Sequence, residues 1–363
     1  MKVVKKVACW VIGILNVLAV CGMIVCAYSI YLSPADYPNW SYLGMLLPIF
    51  VLATLVFLLI WPFLKWKYCA ISLLGIIVCW GSIRDYCPIN LFRNEPVGNT
   101  IGVLSYNVEN LYQNYNYKEG RTGIVDFINS SNADVVCLQD VWHFRGDQQS
   151  YASLNSVYPY IHTGEGTDCV LLSKFPILAS QQIEFNSHAA RCMSYDLLVY
   201  DDTVKVVNCH LESYLLSDED RQLYKKMVKH SVSMENDQEE DTINMKQSFW
   251  WLEGKLAKAN VARSIQADQL KQLIDEWTNK YIIVCGDFND SPVSYVHKTL
   301  TEKLKDAYTE SGNGPGWSYN RNGMYFRIDH ILMSESFNSY NAKVDKYRQE
   351  SDHYPIFCTL EMR

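Results

Sequence analysis

The chain has 363 residues, 49% of them apolar, enough for a sizeable core and for more than one domain. Its longest uncharged runs gather near the start, which excludes a single ordinary soluble domain. Residues 100–363 carry 25 Lys or Arg against 36 Asp or Glu, a formal −11, so they offer no broad basic footprint for a nucleic-acid backbone.

Residues 7–35 and 37–64 contain no Lys, Arg, Asp or Glu. Each run exceeds the roughly 20 helical residues that cross a hydrocarbon layer of about 30 Å. A cleaved leader does not account for them, because the second run follows the first after Asp36 alone. Residues 68–83 form a third uncharged run of 16, which Trp66 and a snorkelling Lys67 extend toward a third crossing. Lys2, Lys5 and Lys6 precede the first run and Lys65 and Lys67 separate the second from the third, whereas the first connection carries only Asp36. The basic side is expected to be cytoplasmic. Three crossings then deliver everything after about Arg84 to the periplasm or exterior, while two would leave it in the cytosol. Residues 1–83 are thus expected to form a multi-pass region in the cytoplasmic membrane. Residues 84–98, with Pro88 and Pro96, form the expected tether, and 99–363 a second unit.

In that unit, apolar runs at 101–106, 133–138, 169–172, 194–199, 204–209, 281–285, 328–333 and 355–360 read as strands. Ile124, Phe127 and Ile128 give a short helical face, and Ala259, Ala262, Gln266, Leu270, Leu273 or Ile274, and Trp277 a longer one beginning near Leu256. Residues 215–255 read as a polar insertion, in which Glu235, Asp237, Glu239, Glu240 and Asp241 suit a solvated surface better than a metal site. Phe249, Trp250 and Trp251 interrupt it and suit the membrane, the rim of a site or packing against the domain. Aromatic residues at 317–326 mark strand or loop material. Seven of the twelve cysteines follow the apolar region without CxxC spacing; Cys137, Cys209 and Cys285 read as small core fillers, although an outside location would permit a disulfide. Helices interspersed among these strands favour a layered α/β domain.

Six polar clusters stand at the ends of apolar runs: Asn107 with Glu109, Asp140, Asn208 with His210, Asp287 with Asn289, Asp329, and Asp352 with His353. Strand ends meeting loops are where functional groups gather. In Gly286-Asp287-Phe288-Asn289 the glycine permits a close turn, and the two polar side chains are spaced to face one cavity. Asp287 can bind metal or position water and Asn289 can hold a phosphate oxygen, although an Asx-stabilised turn explains the motif equally well. His353 suits a base or a transition-state electrostatic group if a partner orients it, and Asp329 is the candidate partner. His210 is a second candidate for phosphate contact or proton transfer. Arg191 can grip phosphate or form a salt bridge. His143 and Asp168 are expected in surface or loop roles.

The strings LSYNVE, VVCLQDV, VNCHLES, VCGDFND, FRIDHILMS and SDHYPI resemble, in this order, the motifs of the endonuclease/exonuclease/phosphatase superfamily over residues 99–360. The resemblance implies a four-layer α/β sandwich with two central mixed sheets, preceded here by the transmembrane helical region. It also implies phosphoester cleavage by water with Mg²⁺, or with Mn²⁺ in its place. Mapped through the motifs, Glu109, Asp140 and Asp352 become metal ligands and Asn107 and Asn208 substrate contacts, beside Arg191, whose guanidinium is the further candidate contact. His210, Asp287, Asn289, Asp329 and His353 become the catalytic group. One position departs from the pattern: Asp140 stands in LQDV where Glu is usual, one methylene shorter. The expected substrate is a phosphodiester, lipid or small molecule, handled outside the membrane. Nucleic acid is the alternative substrate, and a noncatalytic scaffold the alternative function. The lipid bilayer is the other expected partner, and no protein partner is evident.

Overall fold

The structure is a computed structural model that describes residues 2–92, 95–109, 117–141, 148–164, 166–185, 190–214, 217, 219–220, 222, 239–321, 323–348 and 350–363. Two long helices open the chain, α1 (Lys2–Tyr28) and α2 (Leu47–Leu64). Large apolar side chains such as Trp10, Ile14, Ile49 and Leu59 stand exposed on them, a surface that suits lipid and not water. With flanking turns they make two segments long and apolar enough to cross a membrane, Lys6–Tyr31 and Pro38–Leu64.

The third apolar run is not one straight helix. α3 (Cys69–Val78) packs against the first two, with the Ser72 hydroxyl donating to Asn16 Oδ1 at 3.1 Å, and then turns by 66° into α4 (Trp80–Tyr86). The bend accompanies contacts that hold α4 on the second unit. Arg84 Nη2 lies 2.9 Å from Glu310 Oε1, and the buried Arg327 guanidinium donates to the Asp85 carbonyl. The segment expected to be a tether is bound as well. Asn90 Nδ2 donates to the carbonyls of Gly312 and Thr309 at 2.6 and 3.1 Å. The amides of Val97 and Gly98 donate to Glu361 Oε1 at 2.6 and 2.7 Å.

The second unit is a four-layer α/β sandwich. One mixed sheet contains β1 (Thr100–Asn107), β2 (Val135–Gln139), β3 (Tyr160–Thr163), β4 (Val170–Ser173), β13 (Phe337–Val344) and β14 (Ile356–Met362), ordered β13-β14-β1-β2-β4-β3. The other contains β5 (Ile177–Gln182), β6 (Arg191–Val199), β7 (Asp202–His210), β8 (Tyr281–Asp287), β9 (Lys305–Asp306) and β12 (Asp329–Met333), ordered β5-β6-β7-β8-β12-β9. Strand alternation builds the layers. On β1, Ile101 and Val103 enter the core between the sheets, while Leu104 and Tyr106 face α5 (Tyr117–Ser130) and α6 (Gln148–Val157). On β8, Ile283 and Cys285 enter the same central core, and Ile282 and Val284 face α7 (Glu239–Glu276) and α8 (Tyr295–Leu300). A short α9 (Ala307–Ser311) and the hairpin of β10 (Tyr319–Arg321) with β11 (Met324–Phe326) complete the elements used below.

Helix α7 begins at Glu239 rather than near Leu256. Residues 239–253 hold no Gly or Pro and include Glu, Met, Lys and Gln, so the helix runs through the end of the expected insertion. Residues 223–238, with Glu235 and Asp237, lie outside the described residues, as does His143. The seven later cysteines are free; all but the half-buried Cys87 are buried.

The parallel pairs β1/β2 and β7/β8 each end at one edge of their sheet, and the antiparallel β12 starts opposite the end of β8, with Asp329 paired to Asp287. Gly286 makes this edge possible. Its φ is +141°, and a Cβ there would fall 1.8 Å from the Cys209 carbonyl oxygen. Gly286→Ala is therefore expected to cost about 3 kcal/mol or more through backbone strain and displacement of β7. Urea unfolding of the full-length protein in detergent would measure it, and a loss below about 0.5 kcal/mol, the range of a neutral surface change, would contradict the account.

Candidate active site

Asp287 occupies the centre. It is 1% exposed and closes β8. Its Oδ2 accepts from Asn107 Nδ2 at 3.0 Å and lies 3.7 Å from His353 Nε2 and 3.8 Å from His210 Nε2. Its Oδ1 accepts the Asn289 amide at 2.8 Å, which fixes the turn after the strand. Each imidazole is backed by a carboxylate on its other nitrogen: His353 Nδ1 lies 2.9 Å from Asp329 Oδ2, and His210 Nδ1 2.8 Å from Asp168 Oδ2. Two oriented imidazoles thus face one buried acid.

Electrostatics follow from this packing. Burial pulls the His353 imidazolium down, but the charges of Asp329, Asp287 and Asp352 and the Asp329 hydrogen bond outweigh it and push the pKa up to about 10. For His210, burial likewise pulls down, and the Asp168 hydrogen bond with the charges of Asp168, Asp287 and Asp140 pushes the pKa up to about 9. Burial raises the Asp287 carboxyl against the opposing pull of His353, and Asp329 adds to the rise.

Beside this centre stands a second acidic pair. Glu109 Oε1 and Asp352 Oδ2 lie 2.7 and 3.1 Å from the same nitrogen, Arg321 Nη1, and the Asp352 amide donates to Glu109 Oε2 at 3.2 Å. Burial and the neighbouring Asp352 charge raise the Glu109 carboxyl. Asn107 joins the two groups, since its Oδ1 accepts the Glu109 amide at 3.0 Å while its Nδ2 holds Asp287. Asp140 ends β2 half-buried with φ +56°, and its charge reaches His210.

The other expected residues divide. Asn289 Nδ2 donates to the Leu211 carbonyl at 3.1 Å and so ties the loop after β8 to the loop after β7. Arg191 sits opposite His210 in the strand register and donates to the Ala190 carbonyl at 2.9 Å. Asn208 is a correction. It is fully buried, its Nδ2 donates to the carbonyls of Leu138 and Val170 at 2.9 and 3.1 Å, and its Oδ1 accepts from Gln139 at 2.7 Å. Those bonds make it a tie between the two sheets and not a substrate contact. Asp168 does lie in the loop before β4, but it is 3% exposed and bonded to His210 Nδ1, so it is not a surface residue. Arg321, at the end of β10, carries no local signal in the sequence; only the β10–β11 hairpin brings it to Glu109 and Asp352.

Among the described residues, two triads place their ligand atoms within 4.8 Å of one another: Asp287, Asp329 and His353, and separately His297, Asp306 and His330. In the second triad, Arg327 Nη2 lies 3.9 Å from Asp306 Oδ2, and Asp306 Oδ1 accepts the Tyr308 amide at 2.7 Å at the start of α9. Asp306 thus serves as a buried cap of α9.

Removal of the Asp168 carboxylate isolates its contribution. In chelator-treated Asp168→Asn, His210 is expected to titrate below the value of about 9 that it has beside Asp168, followed by the pH dependence of its imidazole proton resonances. A raised pKa stabilises the fold fully below the ordinary 6.5, and the contribution is lost as pH rises through 9. The variant should lack that alkaline loss; an unchanged titration would contradict the pairing.

Comparison with known proteins came to the same architecture. Residues 104–353 match the model of the Endonuclease/Exonuclease/phosphatase family, and residues 9–86 match a domain of unknown function, DUF8431. No curated protein matches the chain. Among solved structures, truncated TDP2 of Caenorhabditis elegans is similar at 16% identity and a TM-score of 0.50, covering 72% of this chain and 98% of that one. Sphingomyelinase C of Streptomyces griseocarneus is similar at 16% identity and a TM-score of 0.48, with 72% and 99% covered. A family protein of Bacteroides thetaiotaomicron gives 15% and 0.48, with 73% and 96% covered.

Proposed function

Because the chain belongs to the endonuclease/exonuclease/phosphatase family, whose members are generally phosphoester hydrolases, we propose that it is a divalent-metal-dependent phosphodiesterase working on the outer side of the cytoplasmic membrane. The observation that carries this reading is Asp287 facing two imidazoles, each backed by its own carboxylate. Asp287, its pKa raised by burial, orients the attacking water and accepts its proton. His353 and His210, whose pKa the surrounding carboxylates push up, hold their Nε2 atoms beside Asp287, where they donate to the phosphate oxygens and stabilise charge as it grows. Asp329 and Asp168 keep the rings in register, and Asn107 holds Asp287 in place.

The acidic pair beside this centre fits a cation. Glu109 and Asp352 converge on Arg321 Nη1, and they, with Asp140 after β2, the strand beside β1, supply only oxygen donors, as Mg²⁺ or Mn²⁺ prefers. A bound ion there would neutralise phosphate charge. Asp140 is one methylene shorter than the usual Glu, so it reaches less far toward that ion. Arg321 supplies the pair's fixed positive charge and would share the carboxylates with the metal.

The formal −11 of residues 100–363 favours a lipid or small-molecule phosphodiester over nucleic acid. Purified full-length protein given Mg²⁺ and a panel of lipid phosphodiesters, nucleic acids and small phosphomonoesters is expected to cleave a phosphodiester. Asp287→Ala and His353→Ala should each lower the rate at least about 10²-fold. Ligand binding that survives both changes, with no metal-dependent turnover in the parent protein, would instead indicate a scaffold.

Packing supports the outward orientation. The connection between α1 and α2 touches the second unit, with the Tyr42 hydroxyl donating to Glu253 Oε1 at 2.8 Å, and so does α4 through Arg84. Both contacts are consistent with one membrane face, opposite Lys65 and Lys67 at the other end of α2. Added protease should cut residues 99–363 in intact spheroplasts; cleavage only after lysis would place the unit in the cytosol.

A further inference from the structure

The connection between the two spans also reaches the loops that carry the site. Gly44 lies so close to Val293 that a Cβ would fall 1.9 Å from the Val293 carbonyl oxygen. The Val293 side chain is buried with Met23, Ala27, Leu47 and Cys79, from α1, α2 and the α3–α4 junction, and Val293 follows Asn289 by four residues. Three residues before Gly44, Ser41 Oγ accepts from Asn260 Nδ2 on α7 at 2.7 Å. Asn260 Oδ1 in turn accepts from the guanidinium of Arg263 and from the Tyr214 hydroxyl, the latter at 3.0 Å.

Arg263 has no solvent exposure. Its Nη1 donates to the Glu212 carbonyl at 2.7 Å, its Nε faces Asp290 Oδ2 at 3.6 Å, and the Tyr214 ring lies 4.1 Å beneath it. Glu212 follows His210 by two residues, and Asp290 follows Asn289 directly. One planar guanidinium therefore spans the loops after β7 and β8, which Asn289 already ties to each other through Leu211. A buried guanidinium keeps its place only while its hydrogen-bond partners stay put, because moving one strands a charge away from water.

We propose that Arg263 is a positioning residue for the phosphoester site and that Ser41 and Gly44 of the span connection hold it and the Asn289 loop, so that the site takes its working geometry only with the membrane bundle docked. The proposal rests on the phosphodiesterase reading for its consequence, but not for its geometry. It makes the bundle part of the catalytic architecture and not only an anchor.

The test uses full-length protein in lipid nanodiscs, followed by hydrogen exchange and by Mg²⁺-dependent hydrolysis of bis(4-nitrophenyl) phosphate. Ser41→Ala, Gly44→Val and Arg263→Lys should raise exchange about tenfold in peptides covering the described residues of both loops, 209–214 and 286–296. The strands at 101–107 and 135–139 should not change. Ser41→Thr, which keeps the hydroxyl, should restore protection, and Phe63→Ala at the far end of α2 should do nothing. The same variants should lower kcat about tenfold with KM within about twofold. Exchange that rises only around residues 41–44, or that does not rise in both loops, overturns the proposal. If Gly44→Val unfolds the protein, Ser41→Ala against Ser41→Thr decides it. Absence of turnover in the parent protein would count against the phosphodiesterase reading, while the exchange result still decides the coupling.

Discussion

A carboxylate removed from water costs several kcal/mol unless other groups replace its hydration. At Asp287 that replacement comes from Asn107 and from two imidazoles, and each imidazole needs its own acid behind it to remain charged in the interior. The demand recruits residues from β1, β7, β8, β12 and the segments before β4 and β14, that is, from both sheets. Neither sheet alone satisfies it. The face-to-face packing of the sandwich is therefore also what makes the site electrostatically tolerable, and Asn208, tying β7 to β2 and β4, keeps the two strand sets in register.

The junction between apolar bundle and acidic domain works by the same rule at larger scale. A free linker of Pro-rich sequence would leave the domain many orientations. Here hydrogen bonds from Asn90, Val97 and Gly98 fasten that linker to the domain, and Arg84 and the Asp85 carbonyl bind the last helical turn before it. The bend between α3 and α4 accommodates both demands: α3 stays against the spans while α4 lies on the domain. Val293, buried among bundle residues yet close in sequence to Asn289, carries the junction to the edge of the site.

Legibility in the sequence tracked burial. Central strands such as β1, β2, β7 and β8 are covered on both faces or nearly so, and they announce themselves as continuous apolar runs that stop at a polar residue. Edge strands did not. β5 is exposed along most of its length and β3 is at best half-buried, so neither has an apolar run to read. The start of α7 was hidden by its charge, since a helix partner can lie far away while local polarity suggests an open loop. The bend in the third apolar run leaves no mark in the sequence, because composition carries no information about the partner that α4 meets.

Residue order by itself determined that two long apolar segments precede an α/β domain, and that Asn107, His210, Asp287 and His353 stand at strand ends. Both follow from periodicity and run length, which are properties of neighbouring residues. Tertiary structure alone decided that Asp168 backs His210, that Asn208 serves the fold and not the substrate, and that Arg321 joins Glu109 to Asp352. It likewise decided that Arg263 sits under two loops. The charge balance of a buried group is set by whatever the packing of distant strands brings within about 4 Å, and separation along the chain says nothing about that.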